Sequence, residues 1–272
     1  MIPTELQPDQ TPQLWDDHVL VYQEVFEPFS LGFAKTAVDR LELDQGARIL
    51  DVGCGSGGVA LALAQSGHLV TAIDAAPRMI ERLVERSVRA EVTVHAEVMD
   101  GQALTYESGS FDAGLSVFGV ILFPDAKRSL AELNRVVRPG GRIAVVTWTD
   151  PPRYELAARL RTAISTVRPE QPPAPLPAQL RYREEADFKE LFRQAGLAKV
   201  EVEKVESLLV APSARWLAER IAFAPGMAAM TAGLGSDLPA IMAIFVDDLE
   251  LSQGRGEVQL SGVAFVGHAT VG

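Results

Sequence analysis

Two hydrophobic rhythms alternate between Arg48 and Trp148. Apolar runs of strand length fall at Arg48–Val52, His68–Ile73, Glu91–His95, Phe111–Val117 and Arg142–Trp148, and helix-period segments at Val59–Gln65, Pro77–Val88 and Ala126–Val137 lie between them. Runs that return to strand period after each helix are the signature of βαβ units, so this stretch predicts a parallel sheet. The punctuation agrees. Gly67 sits just past one helical segment, Pro77 stands where a first-turn proline is tolerated, and Pro139-Gly140-Gly141 resets the chain before the fifth run.

Before this core, Gln13 to Arg40 carries Leu14, Trp15, Val19, Tyr22, Val25, Phe26, Phe29 and Phe33 at three- and four-residue spacings, an amphipathic helical pattern with a predicted interruption near Pro28. After it, Pro151-Pro152 breaks the rhythm and prolines recur from Pro169 to Pro177, a stiff excursion fit for part of a lid. A helix over Glu184–Ala195 with Gly196 past its end, a strand over Lys199–Val205, a helical insertion over Ala214–Leu251 and a closing alternation over Val258–Val271 complete the reading. The expected divisions are a helical lid at 1–45, a cofactor-binding core at 46–150, a proline-rich cap at 151–183, and the rest of the core at 184–272 with an insertion at about 212–252.

Composition narrows the classes. The 272 residues are 47% hydrophobic and 22% charged, an ordinary globular balance. The net charge of −11 repels phosphate backbones and anionic membrane surfaces, so neither nucleic acid nor membrane is an expected partner. A single cysteine, Cys54, excludes an intrachain disulfide and a cysteine-based zinc cluster. With no apolar run of membrane-spanning length, a cytoplasmic protein without a metal centre is expected.

The candidate chemistry starts at Asp51-Val52-Gly53-Cys54-Gly55-Ser56-Gly57-Gly58, a glycine loop between a strand and a helix. Such a loop faces the carboxyl edge of the sheet, where open α/β folds bind ligands. Gly53, Gly55 and Gly58 also satisfy the dinucleotide fingerprint, with Asp74 at about the distance of a ribose-binding acid, so the loop alone leaves the ligand open. Asp51, Asp74 and Asp100 together favour a cationic ligand bearing a ribose and an adenine over a pyrophosphate.

In these motifs the sequence resembles the class I S-adenosylmethionine-dependent methyltransferases, in particular the small-molecule group that includes ubiquinone and menaquinone biosynthesis enzymes. The resemblance rests on Ile49–Gly57, Val70–Asp74 with Met79, Met99–Leu104, Ser110–Ala113, and Asn134–Val146 with Arg138-Pro139-Gly140-Gly141. It implies a Rossmann-like, doubly wound, mostly parallel seven-stranded sheet with a helical lid and inserted cap segments. It also implies S-adenosyl-L-methionine as cofactor, with the loop Gly53, Cys54, Gly55 and Gly57 around its methionyl part and Asp51 orienting the amino group. Asp74 would take the ribose hydroxyls, Ala75 and Met79 would lie beside the adenine, and Asp100 and the Gly101 backbone would meet its edge. Ser116 would lie near the sulfonium, with Tyr22 closing over the methionine end. Val117 and Gln102 depart from the family's commoner polar and acidic residues.

The function these features imply is methyl transfer to a small organic acceptor at oxygen, nitrogen or carbon. A base for that step is sought among the histidines and tyrosines, and His18, four residues before Tyr22 on the same helix face, is the candidate with it. Phe26, Phe29, Phe33, Leu180, Tyr182, Trp216, Phe223 and Met227 could wall an apolar acceptor pocket. Two other readings stay open: a nicotinamide-dependent oxidoreductase, and a cofactor-binding module without transfer.

Overall fold

The structure is a computed structural model that describes residues 6–149, 153–170, 177–221, 227, 230–231 and 233–272. Phe223, Pro151, Pro152, Pro172, Pro173 and Pro175 lie outside them. Seven strands form one sheet: β1 Arg48–Val52, β2 Leu69–Asp74, β3 Val94–Val98, β4 Phe111–Val117, β5 Val137–Trp148, β6 Val200–Ala211 and β7 Val258–Thr270. Their order is β3-β2-β1-β4-β5-β7-β6. The first five are parallel, and β7 runs antiparallel to both β5 and β6. The Rossmann-like, mostly parallel seven-stranded sheet is the one expected.

The central strands are buried on both faces, so their continuous apolar runs divide by alternation. Ile49, Ala144 and Val146 face one layer, while Leu50, Val52, Ile143 and Val145 face the other. The first layer is built from α3 (Glu27–Asp39), α4 (Gly58–Gln65), α5 (Pro77–Arg89), α7 (Glu155–Val167), α9 (Ala214–Ile221) and α10 (Leu238–Gln253); the second from α6 (Ala126–Val136) and α8 (Glu185–Gln194). The N-terminal segment begins with a 3-10 turn at Pro8–Gln10, then α1 (Pro12–Asp17) and the single turn α2 (Val19–Val21). Among the described residues no helix is long and apolar enough to cross a membrane.

Several boundaries move from their expected places. The chain does not break at Pro28. It stays helical there, because the proline falls in the first turn of α3, where no N–H is needed. The adjustment lies upstream, as a π-helical turn over Tyr22–Phe26, and the break falls at His18, which joins α1 to α2 with φ −125°. β3 occupies 94–98 instead of 91–95, since α5 continues to Arg89 and the chain turns through Glu91 (φ 55°). β6 runs on to Ala211, beyond the expected Val205. The segment read as a lid also contains a core helix. Phe29 and Phe33 of α3 are 1% and 0% exposed, and both pack on Trp148 of β5.

Candidate functional site

The site is organised by the turn that leaves β1. Gly53 (φ 70°) and Gly55 (φ 55°) adopt left-handed conformations that favour glycine, and each also has no room for a side chain. A Cβ on Gly53 would lie 2.7 Å from the Gly119 backbone, and one on Gly55 would lie 2.9 Å from the Tyr22 ring. The turn is tied to the end of β2. Gly53 and Cys54 both donate to the Ile73 carbonyl (2.9 and 3.0 Å), and Gly55 N donates to Asp74 Oδ2 (2.9 Å). Asp74 Oδ1 accepts from Ala76 N at 2.9 Å. Burial raises the Asp74 carboxyl above its ordinary range while these backbone donors oppose the shift.

Asp51 stands just before this turn, in β1. It is 2% exposed, and its Oδ2 is buried without a hydrogen-bond partner. Burial, then the neighbouring Asp74 charge, pushes its carboxyl up to about 7. With Tyr22, Gly53 and Cys54 it lines a small cavity of about 10 Å³ beside the glycine loop. An unpartnered acid there suits a cationic group.

The N-terminal segment closes over this edge with two acids. Glu27 Oε2 accepts from Gly58 N at 3.2 Å, at the first turn of α4, and also from the Ser56 hydroxyl. Arg86 neutralises it through two bonds of 2.7 Å and donates to the Ser56 carbonyl. Asp16, 8% exposed, accepts from Arg78 N at 2.8 Å in the first turn of α5. The two helix N-termini beside the glycine loop and Asp74 are thus occupied by carboxylates of the protein itself. Tyr22 lies on Gly55, with Trp15 edge-on to it at 5.9 Å, and both pack against Val19, Ala76 and Met79. Burial, reinforced by Glu27, Asp74 and Asp51, raises the Tyr22 phenol well above its ordinary range.

A cavity of about 350 Å³ adjoins this edge. Gly53, Gly55, Asp74, Ala75, Met79 and Asp100 line its side toward the glycine loop, as does Tyr22. Phe118, Trp148 and Tyr154 form a ring stack in its wall, with centroids 4.1 and 4.8 Å apart. Phe118 follows β4 with φ 61°, a conformation bulky residues rarely adopt. Asp100 is exposed and accepts from Gln102 N and Nε2, both 2.9 Å, while Gln102 Oε1 accepts from Asp125 N, fixing the loop to the cap of α6.

None of the remaining candidates, His18, Ser116, Gly101, Gly57 and Cys54, lines the large cavity. His18 lines neither cavity, and its Nδ1 lies 2.8 Å from the Leu14 carbonyl. Ser116 is fully buried, donates to the Val52 carbonyl (2.7 Å) and accepts from Val120 N (2.8 Å), so it fixes β1 to the turn after β4. Gly101 makes room for the Phe123 ring and Gly57 for Leu83. Cys54 is buried and its thiol is pushed up by burial, which leaves no nucleophile. Of the expected acceptor-pocket residues, Phe26 and Met227 line the large cavity. Sequence reasoning missed Asp9, Asp16, Glu27, Phe118 and Gln179, since each acquires its role through contacts distant in the chain. Among the described residues no cluster of His, Cys, Asp and Glu could hold a metal ion.

Residues 50–145 match the family described as a methyltransferase domain. An uncharacterised protein of Mycobacterium tuberculosis is 33% identical over 185 residues, 66% of this chain and 64% of that protein. The 2-methyl-6-phytyl-1,4-hydroquinone methyltransferase of Synechocystis is 34% identical over 145 residues, 49% of this chain and 45% of that enzyme. The fold is shared with a Haemonchus contortus phosphoethanolamine N-methyltransferase solved with phosphomonomethylethanolamine and S-adenosylhomocysteine. That match has a TM-score of 0.57 at 17% identity, over 94% of this chain and 58% of that one. The chain spans 57% to 64% of the length of its mycobacterial relatives. The class is thereby defined for this stretch: residues 50–145 match a methyltransferase domain.

Proposed function

We propose that the protein is an S-adenosylmethionine-dependent methyltransferase of a small, largely apolar acceptor. The observation that carries the reading is the Glu27 carboxylate on the first turn of α4, beside the glycine loop. A dinucleotide would place its pyrophosphate at such an N-terminus, and the Glu27–Arg86 pair already occupies that position. The unpartnered Asp51 oxygen asks for a cation instead. Together these disfavour the nicotinamide reading, although the glycine spacing permits it.

In this reading the cofactor supplies a methyl group on a sulfonium. Asp51 would hold the ammonium, Asp74 the ribose hydroxyls, and Asp100 the adenine amino group, with Ala75 and Met79 against the ring. The loop Gly53–Gly57 would pass beneath the methionyl part, and Tyr22 and Trp15 would cover it. Transfer is in line, and the chain's contribution is orientation and a dry site. His18, held to Leu14 and outside the cavity wall, is not retained as a base. The reading places residues 6–26 as the cover over the 46–150 core, with the later insertions completing the acceptor pocket. It also places the enzyme in the cytoplasm, with no nucleic-acid partner, in keeping with its net charge of −11 and single cysteine.

The test is calorimetry with S-adenosylmethionine, S-adenosylhomocysteine and NAD, followed by S-adenosylhomocysteine release over a panel of aromatic and aliphatic acceptors. Binding of the first two without NAD, and turnover on a panel member, is expected. Tight NAD binding with no response to S-adenosylmethionine would reverse the reading.

A further inference from the structure

The acceptor end of the large cavity holds one acid that the methyltransferase reading does not use. The 3-10 turn Pro8–Gln10 sets Asp9 in the cavity wall among Leu6, Pro12, Trp15 and Leu122, with the residue 1% exposed. One of its oxygens is satisfied: Oδ2 accepts from Gln179 N at 2.9 Å. The other, Oδ1, is buried and has no hydrogen-bond partner among the described residues. The neighbouring cation does not meet it. Arg181 gives its donors to main-chain carbonyls, Nη1 to Pro124 (3.0 Å), Nη2 to Ile121 (2.9 Å) and Phe123 (2.6 Å), and Nε to Ala178 (3.3 Å).

A carboxylate oxygen removed from water and left without a donor is uncommon in a folded chain, and at a ligand cavity it marks a place where the ligand brings the donor. Trp15 relates this place to the cofactor edge. Its Nε1 donates to the Asp9 carbonyl (2.9 Å), and its ring meets Tyr22, which lies on Gly55. We propose that Asp9 is the specificity-determining residue for the acceptor, reading a hydroxyl or amine N–H carried on an otherwise apolar body. This rests on the methyltransferase reading for the identity of the cavity as an acceptor site. Burial raises the Asp9 carboxyl above its ordinary range, opposed by the backbone N–H groups of Gln179, Ala178 and Asp9 itself and then by Arg181.

The geometry requires a site built to hydrogen-bond a donor to reject the analogue that lacks it. Binding is measured in the full chain saturated with S-adenosylhomocysteine, using matched pairs: naphthol and naphthylamine against naphthalene, and hexylphenol against hexylbenzene. At least one hydroxylated or aminated probe should bind tenfold or more tightly than its parent hydrocarbon. Asp9→Asn, which keeps the shape and an oxygen for Gln179 N but turns the second position into a donor, should abolish that preference with S-adenosylhomocysteine affinity unchanged. Asp9→Ala serves as a second variant, and thermal melting of both confirms that the fold persists. No tenfold preference in any pair, or a preference that survives both variants, overturns the proposal. Failure of S-adenosylhomocysteine to bind the native chain is the separate outcome that removes the methyltransferase reading.

Discussion

Arg86 grips Glu27 with both terminal guanidinium nitrogens, Nη1 to Oε2 and Nη2 to Oε1, each at 2.7 Å, and the pair joins the start of α3 to the end of α5 across the glycine loop. Because Glu27 is only 6% exposed, removing its partner leaves a buried anion beside Gly58 and Ser56. Arg86→Ala should therefore destabilise the protein by about 3 kcal/mol, and the double variant with Glu27→Gln should recover part of that loss. Denaturant unfolding checks both; strict additivity of the two changes would show that the pair carries no coupling.

Asp74 has two tasks, since it holds the loop through Gly55 N and faces the cavity. Asp74→Asn keeps an oxygen for one backbone donor but removes the charge-assisted bonds available to a ribose. Cofactor binding should weaken by about 2 kcal/mol, roughly thirtyfold in Kd. Calorimetry with S-adenosylhomocysteine gives the number, and an unaltered Kd would move the ribose site elsewhere.

Asp51 makes the apo protein sensitive to pH. Its folded-state carboxyl is raised from 3.8 to about 7, so the fold favours the protonated acid. The stability this contributes is fully present below 3.8 and is lost as the pH rises through about 7, at about 1.4 kcal/mol for each pH step of one between those limits. The Tm of the native chain should accordingly fall across this window more than that of Asp51→Asn. A cationic ligand needs the ionised acid, so native cofactor affinity should climb over the same window more steeply than that of the variant, in which Asp74 still titrates. Parallel Tm curves for the two proteins would contradict this.

The N-terminal segment should separate into two energetic parts. Phe33 is fully buried, edge-on to Phe118 and Trp148, and Phe33→Ala should cost about 4 kcal/mol of stability. Trp15, at the cavity and against Tyr22, should behave otherwise. Trp15→Ala is expected to lower ligand affinity at least tenfold while shifting stability by about 1 kcal/mol or less. Melting and calorimetry on the two variants distinguish cover from core, and an equal loss of stability in both would merge them.

Much of this architecture was legible locally. β1, the glycine turn and α4 could be read because a buried parallel strand, a run of glycines and a helical period follow one another within a few residues. β3 was misplaced by three residues because Val92 and Val94 look equally strand-like, and only the left-handed Glu91 separates the turn from the strand. Asp51, Asp74 and Asp100 could be singled out from their places at the carboxyl ends of successive strands. Asp9 and Glu27 were not, because their partners Gln179 and Arg86 lie 170 and 59 residues away. Pro28 misled for a related reason: a proline's effect depends on its position within a helix, and the π-helical turn at Tyr22–Phe26 sets that position.

The place of β7 between β5 and β6 orders assembly in time. β6 pairs along residues 200–211 with β7 alone, so those residues have no neighbour in the sheet until 258–270 have been synthesised and docked. On the ribosome the five parallel strands can consolidate first, while a twelve-residue ribbon rich in Glu and Val waits with both edges open. Glu201, Glu203 and Glu206 keep that ribbon charged, which guards it against pairing with other nascent chains during the interval.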